Sequence, residues 1–94
     1  MEDKENLIVN NDPTFFDELY HLMKSGDYLD RLRAEYMALT YRCEKLAILL
    51  IEHKYGLQNI VLGCPVKMLE DQYKYMVAYR KILIERAKYE GVVL

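Results

Sequence analysis

The stretch Tyr28–Lys54, YLDRLRAEYMALTYRCEKLAILLIEHK, decides the fold. Leu29, Leu32, Tyr36, Leu39, Cys43, Leu46, Leu50 and His53 recur at alternating steps of three and four. That spacing keeps one side of a slightly supercoiled α-helix turned toward a partner. A second apolar stripe, Met37, Tyr41, Ile48, Ile51 and Tyr55, lies about 120° round the same helix at 100° per residue. One antiparallel neighbour cannot cover both stripes, so the helix asks for more than one. Asp27 is the expected cap at its start, and Gly56 is the expected stop.

Working outward, Asp12-Pro13 opens a short helix that Ser25-Gly26 closes, with Gly26 expected in the left-handed conformation. Phe15, Phe16, Leu19, Leu22 and Met23 give it an apolar side too short to be stable alone. After Gly56, the apolar run Leu57 to Leu62 reads as a connection pinned to the core, and Gly63-Cys64-Pro65 restarts a helix that ends before Gly91. Its stripe holds Met68, Leu69, Gln72, Tyr75, Met76, Tyr79, Ile82, Leu83 and Arg86. Val66, Tyr73, Val77 and Ile84 widen the apolar and tyrosine arc to about 220°, against roughly 100° for an ordinary surface helix.

The expectation is an all-α fold: a short N-terminal helix, then a long antiparallel helical hairpin, assembled as a homo-oligomeric bundle. Residues 1–11 read as a mobile acidic arm. Residues 12–94 read as a single helical domain, with helices near 13–25, 28–55 and 65–90. Tyr41, Ile48, Tyr55, Tyr73, Val77 and Ile84 are the expected oligomer interface. With 94 residues, the chain buries a modest core, which a second copy would enlarge.

The chain carries 13 basic and 15 acidic residues, for a formal net charge of −2, so direct nucleic-acid binding is not expected. The charge is uneven: residues 1–30 hold Lys4 and Lys24 against eight acids, and the body beyond is mildly basic. Cys43 and Cys64 form no metal-ligand spacing with His21 or His53, and neither a cofactor nor a metal is expected. No stretch approaches the roughly 20 apolar residues of a membrane span, and a cytoplasmic setting with reduced thiols follows. Nothing resembles a phosphate loop or a nucleophile with its base, so the chain reads as non-enzymatic.

Polar groups within the broad face of the last helix are the candidates for a ligand. Arg80 and Arg86 lie among Tyr75 and Tyr79. A guanidinium offers a fork to phosphate, and a tyrosine ring offers a flat face to a base. Arg42 and Lys45, midway along the central helix, would complete the set from a neighbouring subunit. The plainer reading gives these arginines to partners within the fold and the tyrosines to a wet interface.

The segments Arg31-Leu32-Arg33-Ala34-Glu35-Tyr36 through Cys43-Glu44-Lys45-Leu46, and Cys64-Pro65 through Tyr75-Met76, carry a family resemblance. The chain resembles the small helical-hairpin proteins of phages and prophages of gut bacteria, often grouped as related to crAss-like phages. Their second-half pattern, L-x-x-Q-x-x-x-M-x-x-Y-x-x-[IL]-x-x-R, falls on Leu69, Gln72, Met76, Tyr79, Ile82 and, one step shifted, Arg86. The resemblance covers about 28–89 and brings no catalytic residues. It implies a phage or prophage accessory protein that counters host antiviral defence. Two partners then compete: a cyclic or ADP-ribose-type nucleotide signal held between subunits, or a host defence protein that the chain engages as an inhibitor or adaptor through its acidic N-terminal region. A purely structural oligomer is the third alternative.

Overall fold

The computed structural model describes residues 13–57 and 59–94. The expected acidic arm and the Asp12 cap lie outside them. Three helices make the fold: α1 (Pro13–Lys24), α2 (Tyr28–Tyr55) and α3 (Val66–Glu90). No strand occurs among the described residues.

Local chemistry sets the helix ends. Asp27 takes extended dihedrals, and its Oδ1 accepts from the Leu29 N–H at 2.9 Å, a side-chain N-cap. The Ser25 hydroxyl donates to Asp30 Oδ2 and accepts from the Asp27 N–H, so the α1–α2 link closes on itself. At the far end Gly56 has φ +62°, and the Leu57 N–H donates to the Glu52 carbonyl at 3.0 Å. Only a residue free of a Cβ penalty holds that left-handed closure cheaply. Gly91 repeats the device at φ +72°, turning Val92 back so that its N–H donates to the Ala87 carbonyl.

Gly26 departs from expectation. Positive φ occurs at Gly56 and Gly91 and not at Gly26; α1 ends instead with a tight bond from the Ser25 N–H to the Leu22 carbonyl. The α3 start is also bare, because Pro65 takes the cap position with no side-chain hydrogen bond. The connection 57–62 is pinned in part only. Ile60 and Leu62 are half-buried, whereas Leu57 and Val61 are exposed.

α2 and α3 form the antiparallel hairpin, joined at one end by that connection and at the other by the returning C-terminus. The buried core is Leu32, Leu39 and Cys43 from α2, Leu83 and Ala87 from α3, and Val92 from the tail. Leu29, Tyr36, Tyr73, Met76 and Val77 pack around it. The α2 residues are those of the heptad stripe. α1 packs along α2 and not on α3, and it contributes no fully buried residue. Its grip is aromatic: Phe15 and Phe16 meet the Tyr41 ring at centroid distances of 5.5 and 5.4 Å.

Much apolar surface stays open. Ile48, Ile51 and Tyr55 on α2 lie beyond the reach of α1 and are exposed. Of the other expected interface residues, Tyr41 is half-covered beneath α1, Tyr73 and Val77 pack on the hairpin core, and Ile84 is half-buried.

Candidate functional site

A groove of about 560 Å³ runs between α2 and α3, with Met23 of α1 as one wall. Its floor is Ala34, Ala38, Leu39 and Met76. Ala34 and Ala38 sit one turn apart on one face of α2, and their short side chains leave the hollow that longer ones would fill. Above the floor stand Arg31, Glu35 and Arg42 from α2 and Gln72 and Tyr79 from α3. A second hollow of about 310 Å³ continues past Arg42, Gln72 and Met76 to Tyr41, Lys45 and Leu46. The volume and the mixture, an apolar floor with a few convergent polar groups, are those of a small-molecule site.

The cations in this groove differ in how they are held. Arg31 donates from Nη1 to the Ser25 carbonyl at 2.8 Å, which anchors it to the α1–α2 link. Lys45 lies over the Tyr41 ring at 5.5 Å. Arg42 has no hydrogen bond or ion pair with another described residue, and it borders both hollows. Its donors are the ones open to an incoming anion.

The other two arginines are built into the hairpin. Arg80 donates from Nε to the Thr40 hydroxyl and from Nη2 to the Tyr36 hydroxyl, both at 2.8 Å, with its guanidinium 5.0 Å from the Tyr36 ring centre. Arg86 donates to the Tyr28 hydroxyl at 2.6 Å and lies 3.7 Å from the Glu90 carboxylate. The Tyr28 hydroxyl also donates to Glu90, which closes a three-residue latch at the open end of the hairpin. That hydroxyl favours the charged form of Arg86 and raises its pKa. Cys43 is buried beside Arg80; burial raises its thiol pKa above the ordinary value, and the nearby guanidinium opposes the shift in part.

Of the six expected ligand-binding residues, Arg42, Lys45 and Tyr79 border the groove. Arg80 and Arg86 bridge α2 and α3, while Tyr75 is exposed on α3 outside the groove lining. Arg31, Glu35 and Gln72 were not in that set. The sequence signal for Arg31 and Glu35 is the row Arg31, Ala34, Glu35, Ala38, Arg42, in which polar residues flank two small ones on one helix face, and Gln72 stands out as a polar residue within the α3 stripe.

Among the described residues, no helix is long and apolar enough to cross a membrane, and no cluster of His, Cys, Asp or Glu could hold a metal. Fold and site together describe a helical hairpin with an open groove along its seam, apolar at the floor and polar at the rim. Residues 26–89 match the profile of the Sequestin family, and the chain belongs to that family. The family's name denotes sequestration, a binding role rather than a catalytic one. No curated protein and no solved structure gives a significant match.

Proposed function

We propose that the protein sequesters a nucleotide signal, as a cytoplasmic, non-enzymatic accessory protein of a phage or prophage that blunts host antiviral defence. The observation that carries the ligand class is Arg42: an exposed guanidinium without a partner among the described residues, bordering a groove that also holds Tyr79 and Gln72. Arg42 supplies the fork for a phosphate, with Lys45 adding charge at the far end. The Tyr79 ring offers a stacking face, and the Gln72 amide can both donate to and accept from a base edge. Glu35 lies two turns before Arg42 on the same face, where a carboxylate accepts ribose hydroxyls. The origin and the host target come from the resemblance to phage hairpin proteins, and the family name agrees with retention of a guest.

Isothermal calorimetry with a panel of cyclic and ADP-ribose-type nucleotides tests this reading. The wild-type protein is expected to release heat with at least one member. Arg42→Ala should weaken that binding by roughly 10- to 150-fold, the loss of a charged hydrogen bond of about 1.5–3 kcal/mol. Absence of heat across the panel, or an Arg42→Ala affinity equal to wild type, overturns it.

A further inference from the structure

The link between α1 and α2, Ser25-Gly26-Asp27, gains little from packing. A Cβ added at Gly26 would meet nothing within 4 Å. α1 itself buries no residue completely and packs on α2 and not on α3. The residue that fixes the link is Ser25, which successive residues of α2 grip at both of its polar groups. Its hydroxyl donates to Asp30 Oδ2 at 2.8 Å, and its carbonyl accepts from Arg31 Nη1 at 2.8 Å. Met23 before the link and Arg31 after it both line the groove.

Asp30 is held in its turn. Its other oxygen, Oδ1, accepts from Arg33 Nη1 at 3.1 Å, and Arg33 Nε donates to the Val93 carbonyl at 3.2 Å. That carbonyl has a firm seat, because the neighbouring Val92 is buried in the core and its N–H donates to the Ala87 carbonyl at 2.9 Å. A path of hydrogen bonds thus runs from the segment after α3, through Arg33, Asp30 and Ser25, to Arg31 and the end of α1. Arg33 suits the middle of that path, since a planar guanidinium presents a rigid fork of donors to two acceptors at once. The Arg33 and Asp30 side chains are 37 and 31 % exposed. Half-sheltered in this way, their charged bond lies above the open-surface ion pair and below a fully buried one.

We infer that Arg33 is a positioning residue for the groove. By holding Asp30 and the Val93 carbonyl together it fixes Ser25, and Ser25 fixes both the seat of Arg31 and the helix that carries the Met23 wall. A displacement of residues 91–94 at the open end of the hairpin is thereby felt at the groove. The path stands whatever the groove holds, so it succeeds or fails separately from the function proposed above.

Hydrogen exchange of the unliganded protein, followed residue by residue by NMR, tests the path. The amides from Leu19 to Lys24, Met23 among them, report the opening of α1 rather than the unfolding of the hairpin. Arg33→Ala should speed their exchange about three- to five-fold, the low end of coupling within one hydrogen-bond network. In a Ser25→Ala background the path is already cut, and Arg33→Ala should then add less than about two-fold. Tyr28→Phe is the control: it removes the hydroxyl that joins Arg86 and Glu90 at the same end of the hairpin but leaves the path intact, so α1 should exchange within about two-fold of wild type. Three results overturn the inference: unchanged α1 exchange in Arg33→Ala, additive effects of Ser25→Ala and Arg33→Ala, or a Tyr28→Phe effect as large as that of Arg33→Ala. Calorimetry with the nucleotide panel scores the nucleotide reading separately.

Discussion

Arg80 distinguishes a cation that builds the hairpin from one that waits for a ligand. Arg80→Ala removes two charge-assisted hydrogen bonds, to Thr40 and Tyr36, and the contact of the guanidinium with the Tyr36 ring. Hydrogen bonds to charged groups contribute about 1.5–3 kcal/mol each. Both hydroxyl-bearing residues are only half-buried, so water replaces part of what is lost. The expected net cost is about 2–3 kcal/mol, a large share of the roughly 5–15 kcal/mol that holds an ordinary domain folded. With a urea slope of about 1–3 kcal/mol/M, the midpoint should fall by about 1 M or more. Urea unfolding followed by circular dichroism, at one fixed protomer concentration, measures it. Tyr36→Phe keeps the ring and removes the acceptor, so it should cost about 1 kcal/mol and share about that much coupling with Arg80→Ala in a double-mutant cycle. An Arg80→Ala protein within 0.5 kcal/mol of wild type, or strict additivity with Tyr36→Phe, would refute the bridging role.

Leu83 is 1 % exposed at the centre of the core, so Leu83→Ala should lower unfolding free energy by about 3 kcal/mol, whereas Val61→Ala at 95 % exposure should change it by less than about 0.5; equal effects in parallel urea titrations would contradict the packing. The Cys43 thiol is held above its ordinary pKa by burial, which keeps it protonated and shielded near neutral pH, while Cys64 is partly open. Mass spectrometry of the native protein after iodoacetamide at pH 8 should therefore show Cys64 modified first, and faster labelling of Cys43 would reverse the assignment.

The residues that make the hairpin legible act over short range. The α2 stripe, Asp27 and Gly56 declare a long capped helix through spacing and local hydrogen bonds, and each lies where those rules put it. α3 shows the limit of periodicity. Leu69, Tyr73, Met76, Arg80, Leu83 and Ala87 form one seam, and Met68, Tyr75, Ile82 and Tyr89 form another that begins one residue earlier. Both repeat every seven residues, so the pattern announces two faces without saying which one meets α2. The choice depends on the opposing surface, where Arg80 finds Tyr36 and Thr40 and where Leu83 fits among Leu32 and Leu39. Gly26 was unreadable for a related reason, because the Ser25–Asp27–Asp30 bonds close the link and remove the need for a left-handed residue. The groove was the least visible feature. It exists through what Ala34 and Ala38 lack, and small residues on a helix ordinarily signal nothing more than helix propensity.

α1 leans on a single neighbour through Phe15 and Phe16 and buries no side chain completely, yet its Met23 supplies a wall of the groove. A segment so attached detaches at lower free energy than the hairpin beneath it, so its amides exchange with solvent first. The cavity therefore breathes at the tempo of the loosest helix, and any guest that touches Met23 slows that breathing by holding the helix down.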